Sequence, residues 1–231
     1  MIVLAFDTAT PATVAVVRDA EGNHVEARHD PEPGERPGHA TRLLALADEA
    51  LDAAHLALDD VARIGVGIGP GSFTGLRIGV ATARALAQAL AVPLVEVSTL
   101  RALAARAEEE LAPAERPVLA VVDARRGEAF AAGYAGRHEL LAPTRLSRDA
   151  LAHAVARLPA SPLAVGEGAV RFRSDLQAAG AAIPVDESPL HRVAGRQLGD
   201  LAAASDPTRL NAVLPHYLRP PDAQLRRPAP Q

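Results

Sequence analysis

Short apolar runs and amphipathic helical patterns alternate along the first half of this chain. Runs of four to eight apolar residues bounded by turn residues predict strands, and a 3.6-residue apolar period predicts helices. The helix that begins at His39 carries such a stripe, which includes Leu43 and Leu51. In chain order we predict strands at 1–6, 12–18 and 24–29, a helix at 39–55, a strand at 61–68, a helix at 74–91, a strand at 94–97 and a helix ending at 111.

The same pattern then begins again. The strand that ends at Asp123 resembles the first strand, which ends at Asp7, and a turn and two further strands follow each of them. In the second half we predict strands at 118–122, 128–134 and 138–141, a helix at 148–158, a strand at 163–165 and helices at 170–179 and 191–204.

Two such units predict an α/β fold of two ribonuclease-H-like lobes, each a mixed sheet flanked by helices, that face each other across a cleft. This is the plan of the actin, Hsp70 and sugar-kinase (ASKHA) superfamily. We place the first lobe at 1–111 and the second at 112–219, with a last segment that can return to the first lobe. The Pro- and Arg-rich residues 220–231 predict a flexible tail.

Composition narrows the chemistry. The 231 residues include no Cys and no Lys, which excludes disulfides, thiolate metal sites, a Cys nucleophile and Schiff-base chemistry. The formal charge of −4 does not indicate a protein that binds nucleic acid alone. The N-terminus enters a strand without a basic segment, and no apolar run approaches membrane-spanning length. We therefore expect a cytoplasmic protein without a membrane partner.

Two turns are candidates for a vestigial nucleotide cleft. Asp7 and Thr8 follow the first strand, where kinases of this superfamily bind phosphate and Mg²⁺, but Ala9 replaces the usual Gly and Pro11 lacks an N–H. Asp123 begins the turn predicted to face them. In both turns the carboxylates can instead bond the backbone or neighbouring arginines and be structural.

The run 69–79 first suggests a phosphate loop, since it links a strand to a helix and is rich in Gly. It matches neither the Walker nor the dinucleotide pattern. Its distinctive feature is the four-residue spacing of Gly75, Gly79 and Ala83, which lets another element approach the helix closely. The sequence leaves open whether that element belongs to this chain's own sheet or to another protein.

No metal or catalytic site is predicted. A His-x-x-x-His pair on a helix would bind a metal, but His39 is followed four residues later by Leu43. The other histidines lack ligand spacing, and Ser72 and Ser98 lie in no nucleophile motif.

At these residues the chain resembles the TsaB (YeaZ) family. The matching pieces lie in order over nearly the whole chain, and the run 69–79 together with 123–128 is the most specific of them. From 143 to 206 the match is generic. The pieces are 6–10, 39–44, 69–79, 97–100, 123–128 and 215–219.

The resemblance implies a subunit of the bacterial machinery that makes N6-threonylcarbamoyladenosine at position 37 of tRNAs reading ANN codons. Family members are held to lack transferase activity and to activate the catalytic subunit TsaD by forming a heterodimer with it through their first two helices. The ATPase TsaE joins that pair, and the partners handle ATP and Mg²⁺, so no cofactor is expected here. The tRNA is reached through the complex, and a homodimer is expected in isolation.

On this basis we predict a partner-binding surface on the helices 39–55 and 74–91. An alternative is an ATP-binding, kinase-like enzyme that uses Asp7, Thr8 and Asp123, and a metallopeptidase ranks third. The residues predicted to bind the partner are His39, Leu43, Leu46, Ala47, Ala50, Gly75, Leu76, Gly79 and Ala83.

Overall fold

A computed structural model describes residues 1–32, 34–111 and 116–219. The first lobe is built on a five-stranded sheet in the order β3-β2-β1-β4-β5, in which β1 pairs antiparallel with β2 and parallel with β4. Its elements are β1 (Val3–Asp7), β2 (Thr13–Arg18), β3 (His24–His29), α1 (His39–Ala53), β4 (Arg63–Gly67), α2 (Phe73–Leu90), β5 (Leu94–Val97) and α3 (Thr99–Glu110).

The second lobe repeats the plan with a four-stranded sheet in the order β8-β7-β6-β9. Strand β6 lies between antiparallel β7 and parallel β9, as β1 lies between β2 and β4. Its elements are β6 (Val118–Asp123), β7 (Glu128–Ala135), β8 (His138–Ser147), α4 (Arg148–Ala156), β9 (Leu163–Val165), α5 (Glu167–Arg171), α6 (Arg173–Ala178) and α7 (Gly195–Ala204). The predicted two-lobed α/β fold is confirmed.

Two helices are exchanged between the lobes. Helix α3, in the first lobe by sequence, packs on β6 and β7, whereas α7, from the second half, packs on β1, β2 and β4. Both helices lie between the sheets and share one apolar cluster with them. Arg63 fixes α7 further, because its Nη1 donates to the carbonyls of Ala202, Ala203 and Ser205 at the helix end. The two lobes therefore share a core, and a boundary at 111 separates them in sequence only.

The last described residues form a strap from one lobe to the other. The N–H of Thr208 donates to the Leu94 carbonyl at 2.8 Å, and the N–H of His216 donates to the Ile68 carbonyl at 2.8 Å, both in the first lobe. Arg219 then donates to the Ala124 carbonyl in the second lobe. The segment thus contacts the first lobe before it reaches the second, and the predicted tail 220–231 lies outside the described residues.

Three predicted elements differ from the structure. Strand β8 runs to Ser147 rather than 141, because it continues to pair with β7 beyond an irregularity at Gly133. The predicted helix 170–179 is two short helices that meet at the buried Phe172. In place of 191–204 there is a short 3₁₀ turn, an extended stretch that buries Val193, and then α7.

Candidate functional site

The residues that we predicted to bind a partner lie inside the chain. Helices α1 and α2 pack on this lobe's own sheet, and the leucine stripe and the small-residue face both point into that core. The prediction that these residues form an outer surface was therefore wrong for the folded chain. The buried residues are His39, Leu43, Leu46, Ala47, Ala50, Gly75, Leu76, Gly79 and Ala83.

Two glycines bring α2 against the turn after β1. A Cβ atom at Gly75 would lie 2.0 Å from the Thr8 carbonyl oxygen, and one at Gly79 would lie 2.4 Å from Thr8 Oγ1. That hydroxyl donates to the Gly75 carbonyl at 2.8 Å. Of the two alternatives for this spacing, the structure shows close packing within the chain.

The outward side of the same helices carries a different set of residues. Leu44 on α1 is 58% exposed, although leucine is usually buried. Along α2, exposed alanines recur every four positions, at Ala81, Ala85 and Ala89. We call these exposed positions of the two helices the outer helix face, and it comprises Leu44, Ala81, Ala85 and Ala89.

Asp7 is fully engaged within the fold. Its Oδ2 accepts a hydrogen bond from Thr99 Oγ1 at 2.6 Å, and its Oδ1 accepts one from the Ala9 N–H at 2.7 Å. Gly67 leaves room for it, because a Cβ there would lie 1.9 Å from Asp7 Oδ2. Burial raises the pKa of Asp7, and the two hydrogen bonds oppose that shift. Asp7 and Thr8 thus play structural roles, and neither side chain lines the cleft.

Asp7→Asn is expected to change the free energy of unfolding by less than about 1 kcal/mol. The amide oxygen can accept from Ala9, and the amide nitrogen can donate to the Thr99 hydroxyl, so both bonds survive. Asp7→Ala is the comparison, because it leaves two buried donors unpaired and costs about 2 kcal/mol. Urea titration of the two variants checks this. An Asn variant as unstable as the Ala variant would show that the charge itself is required.

A cleft of about 250 Å³ separates the lobes at the predicted place. Ala9 and Pro11 line one side, and Asp123 and Arg125 line the other, so the structure brings the two turns together while leaving Asp7 and Thr8 behind the wall. The Asp123 carboxylate bonds the Arg125 N–H at 2.8 Å and lies 3.1 Å from Arg171 Nη1. Of the two roles considered for Asp123 from the sequence, these contacts are the structural one, in which its carboxylate bonds the backbone and neighbouring arginines.

Glu167 is a cleft residue that our sequence reasoning missed. Its Oε1 accepts the Asp123 N–H at 3.3 Å, while its buried Oε2 has no hydrogen-bond partner in the described part of the chain. Burial is the main cause that raises its pKa to about 7, and the Asp123 carboxylate adds to it. Gly166 and Gly168 place it there, since a Cβ at either would collide with Val121. The Gly-Glu-Gly sequence after β9 was the signal that could have found it.

His39 is a buried side chain of the core. Its Nδ1 hydrogen-bonds Thr13 Oγ1 at 2.8 Å, and its buried Nε2 has no partner among the described residues. Burial lowers its pKa, and His29 lowers it further. The described residues contain no group of three or more His, Cys, Asp or Glu side chains arranged to hold a metal. Over the same residues no helix is both long and apolar enough to cross a membrane.

Comparisons with known proteins extend this picture. A family model described as "TsaD: tRNA N6-adenosine threonylcarbamoyltransferase" matches residues 31–171. The Escherichia coli "tRNA threonylcarbamoyladenosine biosynthesis protein TsaB" is 38% identical over 135 residues, which are 58% of this chain and 55% of that protein. An uncharacterized protein of Mycobacterium bovis is 34% identical over 96% of this chain and 93% of its own length.

Two solved structures resemble this chain over most of its length. YeaZ from Pseudomonas aeruginosa matches with a TM-score of 0.74 at 28% identity, covering 94% of this chain and 99% of that one. The ethanolamine utilization protein EutJ from Carboxydothermus hydrogenoformans shares the fold alone, with a TM-score of 0.51 at 13% identity over 85% of this chain and 87% of its own.

The repeated lobes, the exchanged helices and the cleft between them define a two-lobed α/β protein with the fold that EutJ shares. The chain belongs to the TsaB (YeaZ) family, and its residues 31–171 match the TsaD family model. The stretch that matches the Escherichia coli TsaB protein spans little more than half of that protein's length.

Proposed function

We propose that this chain is a non-catalytic subunit required for threonylcarbamoyl transfer to N6 of adenosine 37 in tRNAs that read ANN codons. It acts by forming a heterodimer with a TsaD-type catalytic subunit, which a TsaE-type ATPase joins. ATP and Mg²⁺ are handled by those partners. Its place of action is the cytoplasm, and in isolation two copies pair through the surface that otherwise binds the catalytic subunit.

The outer helix face is the observation that carries this proposal. It lies on the two helices that the family resemblance assigns to the heterodimer, and it combines an exposed leucine with small side chains. Small residues on the outside of α2 permit a helix of another protein to approach closely. The buried leucines and glycines support the same surface indirectly, because they fix α1 and α2 on the sheet.

The internal roles of the candidate catalytic residues support a non-catalytic subunit. The side chains of Asp7 and Thr8 form hydrogen bonds to other residues of the fold. Burial raises the pKa of Asp7 and so disfavours the negative charge that would be needed to hold Mg²⁺. His39 is enclosed, and Leu43 stands where a second metal-binding histidine would lie.

Reconstitution tests the function directly. Transfer of the threonylcarbamoyl group to an unmodified tRNA transcript is measured with the TsaD-type and TsaE-type partners, with this chain present or omitted. We expect no transfer by this chain alone and restored transfer when it joins its partners. Full transfer by the partners without it would contradict the proposal. Micromolar binding of Mg-ATP to the isolated chain in calorimetry would instead favour the kinase-like enzyme.

Ala81→Arg is expected to weaken heterodimer formation at least ~10-fold, because it buries an unpaired charge at the centre of the outer helix face. The matched control is Ala156→Arg, on the exposed side of α4 in the other lobe. Calorimetric titration with the catalytic subunit measures both variants, and circular dichroism checks that each is folded. If both variants bound the catalytic subunit with equal affinity, α2 would not be part of the interface.

A further inference from the structure

Two guanidinium groups converge on one carboxylate at the mouth of the cleft. Asp123 Oδ2 lies 3.1 Å from Arg171 Nη1 and 3.5 Å from Arg125 Nη1. The carboxylate neutralises one of these charges and leaves the other. The arginine side chains are 49% and 72% exposed, respectively, so their remaining N–H groups face solvent.

The turn between β6 and β7 begins at Asp123 and ends at Glu128, and a similar arrangement surrounds Glu128. Glu128 Oε2 is contacted by Arg219 and lies 3.8 Å from Nη1 of Arg145, whose side chain is 40% exposed. This second carboxylate again faces two guanidinium groups. We call the four arginines, Arg125, Arg145, Arg171 and Arg219, the arginine rim.

The arginine rim is basic although the whole chain is acidic. Its two carboxylates leave two positive charges uncompensated, and Glu167, which titrates near neutral pH, removes only part of one of them. The hairpin between β6 and β7 also holds Arg125 and Arg126 in left-handed backbone conformations, at φ 63° and 55°. Such conformations cost about 1 kcal/mol each for residues other than Gly and cluster at functional sites.

An aromatic stack stands on the opposite side of this cleft. The rings of Phe73 and Tyr217 have centroids 4.9 Å apart, and the Arg77 guanidinium lies 3.9 Å above Phe73. Arg77 Nε also donates to the Tyr217 hydroxyl at 3.1 Å. Tyr217 and Phe73 line the same cleft as Arg125 and Arg219. Exposed guanidinium groups beside partly exposed aromatic rings are the side chains with which proteins bind RNA that has unpaired bases.

We propose that the arginine rim binds the phosphodiester backbone of RNA, with the aromatic stack in reach of unpaired bases. The inference rests on the proposed function, in which a tRNA is the substrate of the complex. Phosphate oxygens suit the planar, forked guanidinium donors left over after the carboxylates are paired. An acidic protein surface would satisfy the charges too, but it gives no reason for the aromatic stack.

The double variant Arg125→Gln/Arg171→Gln tests the arginine rim. Gln keeps the side-chain stem and, at position 125, the same left-handed backbone demand, while both charges are lost. The matched control is Arg137→Gln, an exposed arginine in the turn at the far end of β7. Fluorescence anisotropy with an unmodified tRNA transcript is recorded between about 50 and 200 mM salt. Both the chain alone and its heterodimer with the catalytic subunit are titrated.

We expect the double variant to bind the tRNA roughly tenfold more weakly and to show a salt slope that is shallower by about 1, since Asp123 already compensates one of the two charges. The control should match the unsubstituted chain. Unchanged tRNA affinity and slope in the double variant would overturn the proposal, even with the heterodimer intact. Retained tRNA binding together with lost binding of the ATPase partner would also overturn it and point to an acidic protein surface. A chain that forms no heterodimer contradicts the proposed function, and its titration alone still tests the rim.

Discussion

Gly79→Leu is expected to destabilise the folded chain by about 3 kcal/mol, whether or not a partner is present. Its Cβ would lie 2.4 Å from Thr8 Oγ1, and Thr8 is completely buried and bonded to the Gly75 carbonyl. Relief would require α2 to move off the sheet or Thr8 to lose its hydrogen bond. The higher helix propensity of leucine returns only about 0.8 kcal/mol, so overpacking decides the sign. The midpoint of urea unfolding measures the loss.

Ala81→Leu is the matched control, since it adds a large apolar side chain two residues further along α2 on the exposed side. Its unfolding midpoint should stay close to that of the unsubstituted chain, within about 0.5 kcal/mol. A Gly79→Leu chain of normal stability that binds the catalytic subunit weakly would contradict our assignment. That result would show that Gly79 contacts the catalytic subunit, as the sequence had predicted.

Sequence periodicity predicted most of this fold because most elements depend on local patterns. The strands of both sheets and the helices α1 and α2 have apolar spacing that only one secondary structure can bury, and Ser72 and Ser98 cap their helices as such residues usually do. The apolar pattern did not predict the correct helices between residues 166 and 194. There Phe172 and Val193 enter the core from a helix junction and an extended stretch, and an apolar count cannot distinguish these from a continuous helix.

The candidate site was harder to predict because its decisive contacts are distant in sequence. The spacing of Gly75 and Gly79 is the same whether Thr8 or another protein fills the gap, and only the packing of α2 on β1 separates the two. Glu167 reaches Asp123 across 44 residues, so no local window contains both. The cleft itself was predictable from the repeated strand–Asp–turn unit, although Asp7 proved to be behind its wall.

Glu167 makes the stability of the chain depend on pH. Its side chain is partly buried at the wall of the cleft, with Oε2 enclosed, and burial raises its pKa from the usual 4.5 to about 7. Below pH 4.5 both the folded and the unfolded chain hold the proton, so Glu167 does not lower the free energy of unfolding. As the pH rises from 4.5 to 7, the unfolded chain releases its proton first, so the free energy of unfolding falls. Above 7 the penalty is constant at about 3 kcal/mol.

Glu167→Gln should remove this penalty while keeping the acceptor for the Asp123 N–H. The amide nitrogen occupies the position of the unpartnered Oε2, which costs about 1 kcal/mol. We therefore expect the variant to be about 2 kcal/mol more stable than the unsubstituted chain at pH 8, with little or no gain at pH 5. Urea titrations at the two pH values measure both differences.

Glu187→Gln is the control for this change, because Glu187 is an exposed carboxyl of the same lobe. It should leave the stability at both pH values close to that of the unsubstituted chain. The diagnostic result is the dependence of the Glu167→Gln gain on pH, since the removal of a poor contact would shift both titrations equally. An equal offset at pH 5 and pH 8 would mean that the Glu167 carboxyl does not carry an elevated pKa in the folded chain. The surplus positive charge of the arginine rim would then be one charge at neutral pH.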